Sequence, residues 1–227
     1  MTGVASLHVE VHDGEGPPVL LVHGILASRA NWLLNLDALA AVARPVVVEL
    51  WGHGRSPAPD DAAAYHPDAY VEEFERIRAG LGAERWFVCG HSLGAALTLR
   101  YALDHPDRVL AHVFTNSNSA LAEEEWRARV GPVLAADADR LEEGGADALA
   151  AHPLNPGRGR RLPAEVRTAL ADDCASHSPA GIARTMRYTV PASPVRARAA
   201  ENARPALLVA GEREEAFGPA RAWAEAV

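Results

Sequence analysis

The sequence is poor in cysteine, in long apolar runs and in positive charge. Its two cysteines, Cys89 and Cys174, lack metal-type spacing, and Cys89 falls inside an apolar strand pattern, so buried reduced thiols are expected rather than a disulfide framework. No apolar run approaches the ~18 residues needed to span a bilayer. The opening, MTGVASLHVEVHDGEG, has no basic stretch followed by an apolar one. These absences predict a cytoplasmic protein without a membrane partner. A formal net charge of −8 disfavours nucleic acid as a partner as well. No residue cluster calls for a metal or a cofactor, which leaves a small-molecule substrate as the expected partner. Oligomeric state is not legible.

What is present is ordinary globular material: 227 residues, 48% apolar and 23% charged, enough for one sizeable core. Leu7, Val9 and Val11 alternate with polar residues and predict a half-buried edge strand. PVLLVH, PVVVEL, WFVCG, VLAHVFT and PALLVAG are short, nearly continuous apolar runs, the pattern of parallel strands covered on both faces. Helix-length patterns at 31–43, 68–82 and 93–105 separate the first of them. The expected fold class is therefore α/β, a mostly parallel twisted sheet with helices on both faces. From Asn116 to about Arg204 no strand is legible, only helical patterns (121–151, 163–173, 179–189) around the loop HPLNPGRGRRLP. The organisation read from this is a core at 1–115, a helical cap insertion at 116–204, and a return to the core at 205–227 with one strand and the start of a helix.

The chemistry centres on FVCGHSLGAALTLRYA. Gly90-His91-Ser92-Leu93-Gly94 is a G-x-S-x-G pattern with a strand leading in and a helix leading out, where a tight turn holds the serine strained above the sheet. Small residues on either side are needed because side chains there would collide. The Leu93 N–H, at the helix start, is a candidate oxyanion donor. LVHGILAS supplies the second, with Ile25 preferred and Leu26 the alternative. LWGHGRSPAP reads as a structural turn at Gly52–Ser56 that His53 helps to fix, and His23 reads as a buried scaffold histidine.

VHG, GHGRS and GHSLG, in this order and at these strand ends, resemble the α/β-hydrolase superfamily over essentially the whole chain. The resemblance implies Ser92 as nucleophile and a carboxylate after the strand that follows the cap. GERE stands there and puts Glu214 where aspartate is usual, and a glutamate can orient a histidine equally well. The loop after VLAHVFT, the other place for the acid, offers Asn116, Ser117 and Asn118 and no carboxylate. The resemblance also implies a histidine base beyond one further strand. The last histidine in this sequence is His177, so the final strand, its histidine and the closing helix are expected to be missing, and the chain as given is expected to be nearly inactive. His177, in CASHSPAG, is the unusual alternative base, and His91, adjacent to Ser92 on the turn, must point elsewhere.

Within the superfamily, the chain is similar to the menaquinone-pathway succinyl-hydroxycyclohexadiene-carboxylate synthase in HGILASRANW, LPAEVRTAL, SPAGIARTMR and GEREEAF. It departs at Ala96, where that lyase has arginine, and at Leu149, near a cap tryptophan. Alanine cannot hold a substrate carboxylate bidentately. A serine at the elbow also disfavours dehalogenases and epoxide hydrolases, which use a carboxylate nucleophile. The expected function is a serine hydrolase of small esters, lactones or thioesters, with Trp126, Arg127, Met186 and Arg187 of the cap as substrate contacts. The alternatives are a carbon–carbon lyase that eliminates pyruvate and a non-catalytic ligand-binding relative.

Overall fold

The computed structural model describes residues 5–211 together with Arg221 and Glu225. Among the described residues, six strands form one sheet in the order β1-β3-β2-β4-β5-β6: β1 His8–Val11, β2 Pro18–Val22, β3 Arg44–Glu49, β4 Trp86–His91, β5 Val109–Thr115 and β6 Ala206–Val209. β1 stands, among the described residues, at one end of the sheet and pairs antiparallel with β3, and all other pairings there are parallel. The five apolar runs are thus the five parallel strands. β2 is buried along its whole length because both faces are covered, which explains why its sequence does not alternate.

Leu20, Val22, Val46 and Val48 face the side closed by α2 (Pro67–Gly80) and α3 (Leu93–Asp104), through Tyr70, Phe74, Leu97 and Tyr101. Val19, Leu21 and Val47 face the other side, where Trp32, Leu36 and Leu39 pack. The helix expected over 31–43 is much shorter. A 3₁₀ turn, Arg29–Trp32, is capped by the Ser28 hydroxyl accepting from the Ala30 N–H, and only α1, Leu36–Ala40, is α-helical. Leu34, between them, is exposed, so the run never presents one continuous apolar face.

Between β5 and β6 lies a helical insert. α3 is followed in the chain by α4, Glu124–Ala151, which breaks at Gly145 (φ 59°, ψ −139°), then by α5, Ala164–Cys174, and α6, Pro179–Arg184. α6 continues through a π turn, Thr185–Thr189. The insert docks on the turn after β3 by close backbone contact: a Cβ on Gly52 would lie 2.6 Å from the Gly181 Cα, and the Ser178 N–H donates to the Gly52 carbonyl at 2.8 Å. Its own apolar core, Ala138, Leu141, Leu149, Cys174, Ile182, Ala183 and Met186, closes around Leu26 of the loop after β2. Among the described residues, no helix is long and apolar enough to cross a membrane. Cys89 and Cys174 are free, and burial pushes the Cys89 thiol up to about 12.

Chain order and sheet order part company at β2. The chain steps from β2 to β3 on one side, then crosses back to β4 on the other. Such a switch opens a crevice beyond the carboxyl ends of the two strands, where open α/β sheets bind ligands. Val22 stands opposite Gly90 across this pair, so the loops that follow, at Gly24 and Ser92, meet at the crevice.

Candidate active site

Ser92 sits between β4 and α3 at φ 54°, ψ −116°, a region costly to a residue with a side chain by about 1–3 kcal/mol. Its neighbours enforce it. The Ser92 N–H donates to the Thr115 carbonyl of β5 at 2.9 Å. A Cβ on Gly90 would lie 2.3 Å from the Gly94 carbonyl oxygen, and one on Gly94 would lie 2.2 Å from the Val22 carbonyl oxygen. One on Gly24 would come within 2.8 Å of the Ser92 Cβ. Three glycines therefore let two loops and a helix start converge on one hydroxyl.

The loop after β2 is held by a column of histidines. His23 and His53 have ring centroids 5.0 Å apart, and His53 and His177 are 5.2 Å apart. Each ring accepts one backbone N–H: Leu50 to His23 Nε2 at 3.1 Å, Leu26 to His53 Nε2 at 3.1 Å, and Gly54 to His177 Nδ1 at 2.8 Å. The other nitrogen of each must then carry the proton and donate to a carbonyl: His23 Nδ1 to Gly24 at 2.7 Å, His53 Nδ1 to Trp51 at 3.0 Å, His177 Nε2 to Leu26 at 3.4 Å. All three rings are neutral, because burial disfavours their charged forms. It lowers His23 to about 3 and His177 to about 4, and holds His53 well below the ordinary histidine value.

Leu26 takes φ 58°, and its N–H is committed to His53. Among the described residues, the N–H groups of Ile25 and Leu93 donate to no protein acceptor, and both residues border the same cavity as Ser92. That cavity has a volume of about 270 Å³. Asn31, Asn118 and Ser119 supply its polar wall, and Trp126, Leu154 and Val190 its apolar one. No carboxylate and no arginine lines it among the described residues, and burial lowers His91, beside Ser92, toward the neutral form.

The other residues singled out in the sequence are scattered. Trp126 borders the Ser92 cavity, but Arg127 faces a separate open cleft of about 640 Å³ with Glu123, Glu124 and Pro191. Met186 is fully buried in the core of the insert. Arg187 is bound at the surface by Asp139 and Glu142, at 2.6 and 2.8 Å. Glu214 lies outside the described residues, as does the helix expected to start within 205–227 apart from Arg221 and Glu225, which are helical. Asn31, Asn118 and Ser119 escaped sequence reasoning. The usable signal was position, since the loops after β2 and β5 open onto the same sheet edge as Ser92.

Residues 17–226 match the family model described as the alpha/beta hydrolase fold. Proline iminopeptidase of Heyndrickxia coagulans is 34% identical over 104 residues, 46% of this chain and 36% of that protein. The chain spans 29% of the length of a 1-acylglycerol-3-phosphate O-acyltransferase of Arabidopsis thaliana and 51% of that of a human (lyso)-N-acylphosphatidylethanolamine lipase. Among solved structures, MenH from S. aureus superposes with a TM-score of 0.83 at 21% identity, over 96% of this chain and 85% of that one. The enol-lactonase from Burkholderia xenovorans LB400 gives 0.80 at 24% identity, over 97% and 84%. At such identities the superpositions speak for the fold, and with the family match over nearly the whole length they make this chain a member of the α/β-hydrolase fold family.

Proposed function

We propose that this chain carries the nucleophile and oxyanion hole of a serine hydrolase acting on a small, uncharged ester, lactone or thioester. The observation that carries the reading is the strained Ser92 facing one cavity together with two backbone N–H groups, of Ile25 and Leu93, that lack protein acceptors. Ser92 Oγ attacks the acyl carbon while its proton passes to the histidine base that the resemblance implies, and the carbonyl π pair moves onto the oxygen between those two N–H groups, one of them at a helix N-terminus. Collapse of the adduct expels the alcohol or thiol, which takes that proton. Leu26 is the weaker second donor, since its N–H already serves His53.

Substrate class follows from the lining. A wall of Trp126, Leu154 and Val190 suits an apolar acyl or alcohol portion, and Asn31 and Asn118 suit neutral polar groups. The lyase alternative needs a cation for its carboxylates. Ala96 is fully buried and offers none, and Arg127 and Arg187 face elsewhere. The names of some relatives and neighbours, a proline iminopeptidase and an enol-lactonase, agree with attack at an acyl carbon, whereas the epoxide hydrolases among them do not.

Glu214 is assigned as the acid of the triad on the resemblance alone. The proton acceptor for Ser92 is none of His23, His53 and His177, whose ring nitrogens are all engaged by backbone. A cytoplasmic setting belongs to the same reading and is supported by the two free thiols. Labelling with a fluorophosphonate probe, in a form of the protein that also carries the histidine base the resemblance implies, tests the core of it: one labelled serine is expected, lost in Ser92→Ala. Label retained elsewhere in that variant refutes the assignment. A protein that binds a neutral acyl ligand but never forms an adduct is instead the non-catalytic relative.

A further inference from the structure

The peptide that carries the Ile25 N–H is gripped at its other end. A trans peptide is planar with its C=O and N–H opposed, so whatever fixes the Gly24 carbonyl also fixes the direction of the Ile25 N–H. That carbonyl accepts from His23 Nδ1 at 2.7 Å and from the Ala27 N–H at 3.1 Å. The Ala27 bond lies within the loop and moves with it. The His23 side chain instead springs from the end of β2, and its ring is fully buried, with Nε2 accepting the N–H of Leu50, the residue that follows β3. An imidazole whose Nε2 accepts must carry its proton on Nδ1, so the Leu50 amide selects the tautomer that can donate to Gly24.

We propose that His23 is a positioning residue that both aims and strengthens the Ile25 oxyanion donor, its tautomer being set by the Leu50 amide. The inference rests on the reading of Ile25 as such a donor. Aim follows from the shared peptide plane. Strength follows from polarisation: a carbonyl that accepts a hydrogen bond draws charge from its own amide nitrogen, which makes the N–H of that peptide a better donor. The chain runs in one sense throughout, from the Leu50 N–H to His23 Nε2, from Nδ1–H to the Gly24 carbonyl, and from the Ile25 N–H to the developing oxyanion. Bonds aligned head to tail in this way reinforce one another, and this chain ends where negative charge appears. His23 itself does not border the Ser92 cavity, and no proton leaves its ring in this role, which separates it from a base.

The two ring nitrogens can be replaced one at a time. Asparagine places its amide N–H near Nδ1, so His23→Asn keeps the donor to Gly24 and loses the acceptor for Leu50. Glutamine reaches the Nε2 position, so His23→Gln keeps the acceptor for Leu50 and loses the donor to Gly24. Phosphonylation of Ser92, in the form of the protein that carries the base, is resolved into probe binding and the bond-forming step. In His23→Gln the bond-forming step slows by about tenfold, less than the roughly hundredfold or more that outright loss of a donor brings, while probe binding changes little. His23→Asn recovers most of that rate. NMR of the chain as it stands gives a second readout: the Gly24 carbonyl ¹³C and Ile25 ¹⁵N resonances move upfield in His23→Gln, as loss of a donor to that carbonyl requires, and less in His23→Asn. Equal losses in the two variants, or a larger loss in His23→Asn, make His23 a packing residue and overturn the proposal. If His23→Gln does not fold, the ring of the parent decides: a protonated Nδ1 coupled to the Gly24 carbonyl across the hydrogen bond upholds the relay, and a protonated Nε2 refutes it. If Ser92 of the parent takes no label, the hydrolase reading fails, and the resonances decide alone: a larger shift in His23→Gln than in His23→Asn upholds the grip on the Ile25 peptide, and equal shifts refute it.

Discussion

Acid should unfold this protein through its histidine column well before its carboxylates titrate. Burial lowers His23 to about 3 and His177 to about 4 in the folded chain, whereas both return to the ordinary value near 6.5 on unfolding. The unfolded state therefore takes up protons first. Stability is fully present above about pH 6.5, falls as the pH drops below it, and levels off only at the folded values. At about pH 5 the difference amounts to roughly 2 kcal/mol for each of these two rings, or about 4 kcal/mol together, with His53 acting in the same direction. That is a large part of the 5–15 kcal/mol typical of a domain. The geometry gives the reason: protonation converts an accepting nitrogen into an N–H that faces a backbone N–H, at Leu50, Leu26 or Gly54.

Carboxylates act in a lower window. Glu75, held down to about 2 by Arg78 and the Tyr101 hydroxyl, contributes stability above about pH 4.5 and loses it only as the pH falls further toward 2. Urea unfolding followed by circular dichroism at about pH 7.5, 6 and 5 separates the two. The expected result is a midpoint that falls steadily across this range. A midpoint unchanged down to about pH 5, or ring nitrogens of His23 and His177 titrating near 6.5 by NMR, would refute the reasoning.

Two further outcomes follow from the site. Gly90→Ala drives a methyl into the Gly94 carbonyl, which is backbone and cannot turn aside, and against the Thr98 side-chain hydroxyl, and should cost about 3 kcal/mol or more, measured as a fall in thermal midpoint, or abolish soluble expression. Trp126→Ala should weaken binding of an aromatic fluorophosphonate about tenfold or more, whereas Arg127→Ala, which faces the other cleft, should leave it within about twofold; the reverse order would mean that the larger cleft is the binding site.

Strands and elbow were legible because each depends on local chemistry. A parallel strand covered on both faces must be apolar throughout, as Pro18–Val22 is, and a left-handed serine must be flanked by residues without side chains, as Gly90 and Gly94 are. The histidine column was not legible, since the partners of His53 and His177 lie 27, 123 and 151 residues away and are backbone groups that carry no signature in sequence. His23 and His53 were read as scaffold, but their joint grip on the loop after β2 emerges only when three segments meet. Arg127 and Arg187 show a different limit. Consecutive helix positions differ by about 100° in direction, so Trp126 turns to one cavity and Arg127 to another. The helix over 31–43 was overread because apolar spacing alone does not register the Ser28 cap or the exposure of Leu34.

The Gly52–Gly181 contact bears on how freely such an insert can be exchanged among related cores. Where two backbones touch without intervening side chains, neither surface can adapt by changing a rotamer, and each glycine is a condition on the other. An insert of this kind is therefore not a portable module. Grafted onto a core with any side chain at position 52, it would ride up by the thickness of a methyl group, pull His177 away from Leu26, and arrive with its own helices intact but out of register with the loop they close upon.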